Sequence, residues 1–315
     1  MDIVLLIIGF VLLVKGADFF VSGASDIARK LKVSTLIIGL TIVAFGTSAP
    51  ELAVSISASS QGSSSISVGN IIGSNLFNLL VVLGSSAAIV PAVVSSKIVK
   101  SDYPVSIAAS VLICLFAAFP IFAANEGNTI SRPEGIILLV FFAVYMFILL
   151  KTARKQATLS NEEAAGINVP KSLIFLIGGI AGIVFGSRLV VTGASGIARA
   201  AGISEEIIGL TIVAIGTSLP ELVTSIVAAK KGENDIAIGN VVGSNLFNIL
   251  LIGGICAVIA PTEVSGGMIR DMVILIAVSA VCFIPLLVKR RLPRGMGIAM
   301  VCAYGVYTVY LILLR

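Results

Sequence analysis

The chain has 315 residues, of which 57% are hydrophobic and only 12% are charged, and its mean hydropathy is +1.12. Soluble domains carry about 25% charged residues, so this composition excludes an ordinary soluble protein and indicates an integral membrane protein. The net charge of +5 does not indicate a nucleic-acid partner, because the basic residues lie in short loops between apolar segments.

Metal chemistry based on imidazole or thiolate is excluded as well. The sequence contains no histidine, and its cysteines lie singly in apolar segments without C-x-x-C spacing. They are interpreted as small buried hydrophobic residues: Cys114, Cys256, Cys282 and Cys302. We therefore expect no bound cofactor.

Apolar segments long enough to cross a hydrocarbon core of about 30 Å recur along the whole chain. Ten are predicted, at about 3–23, 35–59, 66–90, 103–123, 133–151, 172–192, 205–229, 236–260, 271–288 and 296–314. The first lacks a basic n-region and an A-x-A cleavage site, so it is interpreted as a spanning helix and not as a signal peptide. A polar linker at about 152–171 divides the segments into five plus five.

The basic residues predict the orientation. Most lysines and arginines fall in the loops that would share one side of the membrane, with Arg29, Lys97, Lys155, Lys230 and Arg290 as examples. The positive-inside rule then places both termini outside the cell and the central linker in the cytoplasm of a multi-pass plasma-membrane protein.

An internal duplication relates the two halves. Residues 16–91 align with 186–261 without a gap at a constant offset of 170, as Glu51 and Glu221 illustrate. Because each half holds five spans, an odd number, the copies enter the membrane from opposite sides. The expected fold is an all-α integral membrane protein of ten transmembrane helices, built from two inverted five-helix repeats at 1–157 and 158–315.

Two motifs carry the chemistry, and both are duplicated. GTSAPE at 46–51 returns as GTSLPE at 216–221, and GNIIGSNLFN at 69–78 returns as GNVVGSNLFN at 239–248. A carboxylate within a spanning segment costs about 2.5–3.5 kcal/mol and marks an ion or substrate pathway. Pro50 predicts a broken helix, because it lacks a backbone donor and obstructs the carbonyl four residues earlier, which frees carbonyls around Thr41 to Gly46 as ligands.

The polar groups predicted near the membrane midplane are all oxygen donors, which suit hard cations such as Ca²⁺ and Na⁺. Two carboxylates balance one Ca²⁺ or two Na⁺, so one cage can hold either load in turn. If the binding cage changed its access from one side of the membrane to the other without ions, two unpaired charges would pass an apolar gate. This cost suggests that the protein must exchange one ion for another at each passage. We therefore expect a transporter and not an enzyme.

The paired motifs resemble those of the sodium/calcium exchangers of the calcium/cation antiporter superfamily, particularly its compact prokaryotic members. The resemblance implies that the second, third, seventh and eighth helices hold the ions while the first and sixth slide across them. It implies Ca²⁺ binding by Glu51, Glu221, Thr47, Thr217 and the carbonyls of Ala44 and Ala214. It implies that flanking Na⁺ sites are completed by Ser48, Ser218, Ser74, Ser244, Asn78 and Asn248.

Other functions stay open. K⁺ or H⁺ coupling is the alternative, and two differences from those branches disfavour it. Potassium-dependent relatives carry aspartate where this chain has Asn248, and the proton-coupled branch has an Asn-Ala-type motif before its glutamate where this chain has Thr-Ser-x-Pro. A cation channel is a further one. An intramembrane hydrolase built on Ser48 or Ser218 is disfavoured, because no histidine exists and neither span offers a lysine.

Some polar residues have less specific interpretations. Asn70 and Asn240 fit helix caps or packing residues as well as they fit ligands. Lys15 and Asp18, one turn apart near the end of the first span, predict local pairing or snorkelling. Beyond the lipid bilayer and the transported Ca²⁺ and Na⁺, we expect no nucleic acid and no obligatory protein partner.

Overall fold

The chain is mostly helical in a computed structural model that describes residues 1–119, 128–159, 167–202 and 214–314. In the first half the described helices are α1, Asp2–Lys30; α2, Thr35–Thr47; α3, Ala49–Ser60; α4, Ser64–Phe77 continuing through Asn78–Val82 to Leu83–Ile89; α5, Ile98–Ala118; and α6, Arg132–Leu159. In the second half they are α7, Val169–Ala200; α8, Ala214–Thr217; α9, Leu219–Lys230; α10, Asn234–Ile259; α11, Gly266–Lys289; and α12, Arg294–Leu314.

Seven of the described helices are long and apolar enough to span a membrane, and the bent pair α2 and α3 makes an eighth. These seven are α1, α4, α5, α6, α7, α10 and α11. Three predicted segments lie partly outside the described ranges. They are the start of the span 205–229, the end of the span 103–123 and part of the linker at about 152–171. The described helix α12 occupies the last predicted segment.

The long helices α1 and α7 extend well beyond the predicted spans 3–23 and 172–192, reaching 29 and 32 residues. The difference has a simple cause. Hydropathy marks where a helix is buried in hydrocarbon, whereas polar residues such as Arg29 and Lys30 continue the same helix into the interface.

Glycines bring α1 and α7 into close antiparallel contact. A Cβ at Gly9 would lie 2.8 Å from the Gly186 carbonyl oxygen, and one at Gly16 would lie 2.8 Å from the Gly179 carbonyl oxygen. Only glycine allows backbones this close, as is common between helices in membranes. Gly179 and Gly186 are the repeat equivalents of Gly9 and Gly16. Gly9 therefore contacts the equivalent of Gly16, and Gly16 contacts the equivalent of Gly9.

Four two-residue strands lie in the described ranges, where the sequence analysis expected none. They form two antiparallel pairs, Ala92–Val93 (β1) with Arg291–Leu292 (β4) and Thr129–Ile130 (β2) with Thr262–Glu263 (β3). The chain is nevertheless mostly helical, and strands of two residues are too short to show a periodicity in the sequence. Each pair joins one half of the chain to the other.

The best-buried helices lie at the centre of the molecule. Glycines of α10 pack on α2, where a Cβ at Gly239 would lie 3.0 Å from the Leu36 carbonyl oxygen and one at Gly243 2.9 Å from the Leu40 carbonyl oxygen. Leu40, Leu76 and Leu246 are fully buried there. This tight packing positions the two duplicated motifs against each other.

Candidate functional site

The helix break predicted at Pro50 is confirmed. Helix α2 ends at Thr47, α3 begins at Ala49, and the two axes differ by 48°. The second copy has the same form, with α8 ending at Thr217 and α9 beginning at Leu219. The breaks occur because each proline, placed in the first turn of the new helix, offers no N–H to continue the old one.

Each break places a glutamate in the first turn of a helix. Glu51 lies in the first turn of α3 and Glu221 in the first turn of α9, and the two residues are 1% and 0% exposed. The partial positive charge of a helix N-terminus favours a carboxylate at this position. The local fold thus stabilises two acidic groups where the surrounding segment is apolar.

The two carboxylates are held by serines from opposite halves of the chain. Ser48 Oγ donates to Glu221 Oε1 at 2.9 Å, and Ser218 Oγ donates to Glu51 Oε1 at 2.9 Å. Ser244 Oγ lies 3.4 Å from Glu221 Oε1. Because the bonds cross between repeats, the two motifs form a single site.

Ser74 joins this site from α4. Its hydroxyl oxygen lies 3.2 Å from Ser218 Oγ, and its side chain is 4% exposed. The structure therefore brings all four predicted serines together around the two carboxylates.

The asparagines of the second motif bond to each other across the two halves of the chain. Asn78 and Asn248 lie in π-helical segments, Asn78–Val82 and Phe247–Ile252, and both are fully buried. Segments of this kind frequently occur at functional sites. Asn78 Nδ2 donates to Asn245 Oδ1 at 3.3 Å, and Asn248 Nδ2 donates to Asn75 Oδ1 at 3.1 Å.

Four buried oxygens of the predicted ligands have no hydrogen-bond partner within the described part of the chain. They are Glu51 Oε2, Glu221 Oε2, Asn78 Oδ1 and Asn248 Oδ1. Leaving such groups unpaired in a protein interior costs about 1–3 kcal/mol each, and more for a charged group. A bound hard cation would satisfy them, since carboxylate and amide oxygens are its preferred ligands.

The threonines and alanines of the predicted site lie at the breaks themselves. Thr47 is fully buried, and its Oγ1 lies 3.1 Å from the Val43 carbonyl oxygen and 2.9 Å from Asn240 Oδ1. The Ala44 carbonyl accepts from the Ser48 amide at 3.0 Å. In the second copy, Ala214 is the first residue of α8 and Thr217 is the last. The structure does not describe the side chain of Ala214.

The carbonyl of Gly216, the repeat equivalent of Gly46, has a protein partner. Ser187 Oγ of α7 donates to the Gly216 carbonyl at 2.6 Å. The prediction of freed carbonyls covered the first copy, around Thr41 to Gly46, and did not extend to Gly216. A hydroxyl from the adjacent long helix supplies the missing donor instead.

Asn70 and Asn240 hold the backbone of the glutamates. Asn240 Nδ2 lies 3.4 Å from the Glu221 carbonyl oxygen and 3.0 Å from Ser225 Oγ. Asn70 Nδ2 lies 3.3 Å from the Glu51 carbonyl oxygen and 2.9 Å from Ser55 Oγ. The helices that contain these asparagines have Ser63 and Glu233 as N-caps, so the helix-cap interpretation is wrong.

The sequence analysis did not single out Asn75, Asn245, Ser55 or Ser225. Their signal was the repeat itself, because each of the four recurs at the same offset as the glutamates. Polar residues that are duplicated inside apolar segments are all candidates for the site or its support.

One end of α1 is tied to the turn between α9 and α10. Lys231 Nζ forms an ion pair with Asp18 Oδ1 at 2.8 Å, and Glu233 Oε1 lies 3.5 Å from Arg29 Nη2 and 2.5 Å from Ser25 Oγ. The sequence analysis had predicted local pairing or snorkelling for Lys15 and Asp18. The partner was missed because it lies 213 residues away along the chain.

The equivalent positions of the other repeat offer no carboxylate. Arg188 and Gln61 replace Asp18 and Lys231, and Arg199 and Ser63 replace Arg29 and Glu233. The ion pair between Asp18 and Lys231 joins the two halves, and the equivalent residues Arg188 and Gln61 cannot form the same pair.

Oxygen donors dominate the site. Among the described residues, no group of three or more His, Cys, Asp or Glu side chains is placed to hold a metal ion. The arrangement has two carboxylates, surrounded by hydroxyls and amides. It is suited to hard cations that bind and leave and not to a tightly held transition metal.

Comparison with known proteins gives a consistent result. The family model described as "Sodium/calcium exchanger protein" matches residues 1–151 and 171–313. A putative antiporter, CaxA, from Alkalimonas amylolytica is 42% identical over 82% of this chain and 81% of its own. The sodium/calcium exchanger MaX1 from Methanosarcina acetivorans is 33% identical over 98% of both chains.

The fold is also similar to a solved structure. The sodium-calcium exchanger NCX_Mj, in crystals soaked with 10 mM Na⁺ and no Ca²⁺, superposes with a TM-score of 0.84 at 32% sequence identity. The alignment covers all of this chain and 99% of that one.

Proposed function

Because the chain belongs to the sodium/calcium exchanger family, we propose that it is a secondary antiporter that exchanges Ca²⁺ for Na⁺ across the membrane by alternating access. The observation that carries the proposal is the pair of crossed serine–glutamate hydrogen bonds around four buried oxygens that lack partners among the described residues. Such a site is costly to bury empty and is stabilised by a cation.

Ca²⁺ binds between the two carboxylates in this proposal. Glu51 Oε2 and Glu221 Oε2 have no hydrogen-bond partner among the described residues, and carboxylate oxygens are the usual ligands of Ca²⁺. The two carboxylates together carry a charge of −2, which balances the ion. Further oxygens come from Thr47, Thr217 and the carbonyls of Ala44 and Ala214. The ion is the transported substrate and not a resident cofactor.

Na⁺ occupies the same region in turn. The flanking ligands are Ser48, Ser218, Ser74, Ser244, Asn78 and Asn248. Two Na⁺ ions neutralise the same two carboxylates, so one ion load replaces the other without leaving buried charge. An empty site would expose two unpaired carboxylates to a low dielectric, and that cost disfavours return without an ion.

The proposed architecture is ten helices in two inverted repeats, 1–157 and 158–315. The antiparallel contact of α1 with α7 supports it, because these helices are sequence equivalents that run in opposite directions. Both termini then lie outside the cell and the linker at about 152–171 lies in the cytoplasm, as the distribution of basic residues suggests.

Reconstituted vesicles test the proposed function directly. Vesicles loaded with Na⁺ and diluted into Na⁺-free buffer with radioactive Ca²⁺ should accumulate Ca²⁺, and vesicles loaded with choline should not. Uptake driven by a pH gradient or by K⁺ in place of Na⁺ would assign the alternative couplings. Uptake with no ion gradient would identify a channel and overturn the proposal.

A further inference from the structure

Four asparagines form two reciprocal bonds between the halves of the chain. Asn75 Oδ1 accepts from Asn248 Nδ2 at 3.1 Å, and Asn245 Oδ1 accepts from Asn78 Nδ2 at 3.3 Å. Asn75 Nδ2 also lies 3.5 Å from the Asn245 carbonyl oxygen. All four side chains are buried. We call these two bonds the amide clasp.

The clasp determines which end of each amide faces away from it. A side-chain amide has an oxygen that accepts and a nitrogen that donates, and rotation by a half turn exchanges them. In Asn78 and Asn248 the nitrogen is engaged, whereas Oδ1 is buried without a partner in the described part of the chain. The free end of both residues is therefore the oxygen.

Orientation matters because the two ends have opposite polarity. An amide oxygen stabilises a nearby cation, whereas an amide NH₂ group repels it and offers no lone pair. A rotated amide would thus remove one ligand and add an unfavourable dipole. Within the described part of the chain, Asn78 Nδ2 and Asn248 Nδ2 each make one hydrogen bond, to Asn245 and Asn75.

We propose that Asn75 and Asn245 are positioning residues that hold the oxygens of Asn248 and Asn78 toward the transported cations. The inference rests on the proposed function in assuming that Asn78 and Asn248 bind cations. Each positioning residue acts on the ligand of the opposite repeat, as the serines do with the glutamates. The clasp therefore keeps both halves of the site correctly oriented only while the two repeats are packed together.

Asn75 makes the stronger bond of the two and is the better residue to test. Asn75→Leu keeps a side chain of similar size but removes the oxygen that accepts from Asn248 Nδ2. The Asn248 amide is then free to rotate. We expect cation binding to the purified protein, measured by titration calorimetry with CaCl₂ and separately with NaCl, to weaken by about tenfold, the loss expected for one hydrogen bond of this kind.

Asn248→Asp distinguishes positioning from general packing. A carboxylate has two equivalent oxygens, so its rotation does not matter, and it cannot donate to Asn75. If Asn75 acts by orientation, Asn75→Leu weakens binding in the wild-type background and leaves it unchanged or improved in the Asn248→Asp background. If Asn75 only packs, the loss is the same in both backgrounds, which would overturn the proposal.

Folding and function are separated by two further measurements. Asn75→Ser, a smaller change that also removes the acceptor from reach, should reproduce the loss if the leucine variant does not fold. Wild-type protein that binds neither cation would overturn the proposed site itself. Wild-type binding together with unchanged affinity in a folded Asn75 variant would overturn the clasp alone.

Discussion

The Ser48 hydroxyl donates a hydrogen bond of 2.9 Å to the Glu221 carboxylate, although the two residues are 173 positions apart in the chain. Ser218 and Glu51 repeat the contact in the opposite direction. Each broken helix thus supplies one glutamate and one serine, and the serine donates to the glutamate of the other half. The site exists only when both halves are folded against each other.

The first prediction concerns the carboxylates. Glu51→Gln and Glu221→Gln should each abolish Na⁺-dependent Ca²⁺ uptake in vesicles, because one remaining charge cannot balance a divalent ion and the new NH₂ group offers no ligand. Glu263→Gln, at an exposed position in β3, is the matched control and should leave uptake unchanged. Normal transport by either buried variant would exclude the carboxylates from the site.

The second prediction concerns the crossed donors. Ser48→Ala and Ser218→Ala should each raise the Ca²⁺ concentration for half-maximal uptake by about tenfold, since each removes a hydrogen bond to a buried charged group. Ser110→Ala is a suitable control. It removes another buried hydroxyl, one that donates to the Ser106 carbonyl within the same helix. An equal effect of all three substitutions would mean that the serines act only through helix packing.

The third prediction concerns the contact of α1 with α7. A Cβ added at Gly179 would lie 2.5 Å from the Phe20 amide nitrogen, whereas one added at Gly178 meets nothing within 4 Å in the described structure. Gly179→Ala should therefore destabilise the protein by about 1–3 kcal/mol, the usual cost of overpacking. Thermal unfolding in detergent measures this.

Gly178→Ala is the neighbouring control, and it should be neutral or slightly stabilising because alanine favours a helix. Equal melting temperatures for the two variants would show that α1 and α7 do not pack as closely as described.

The fourth prediction concerns the ionic tie at Lys231. The Asp18 and Lys231 side chains are 47% and 29% exposed, so Lys231→Met should change the free energy of unfolding by only about 0.2–1 kcal/mol. It should nevertheless free this end of α1, because Lys231 Nζ also donates to Ser22 Oγ and to the Asp18 carbonyl. A cysteine placed at Ser22 should then react faster with a water-soluble thiol reagent.

Gln61→Met changes the equivalent position of the other repeat and should not alter that reaction rate. Charge exchange in Asp18→Lys with Lys231→Asp should restore slow labelling. Labelling that is indifferent to Lys231 would mean that the tie does not hold α1 in place.

Much of the fold was predictable from the sequence because its signals are local. The apolar segments predicted spanning helices, and Pro50 predicted the first break, since a missing N–H acts on the same helix turn. The duplication of Glu51 and Asn78 marked them as candidate site residues. Hydropathy did not predict where α1 and α7 end, because helices continue into the polar interface.

The sequence by itself determined that this is a membrane protein with two copies of an acidic, broken-helix motif, because composition and proline chemistry act over a few residues. The tertiary structure alone decided that Ser48 donates to Glu221, that Asn248 donates to Asn75 and that Asp18 pairs with Lys231. These partners lie more than 170 residues apart along the chain. Only the packing of one repeat against the other brings their atoms within hydrogen-bond distance.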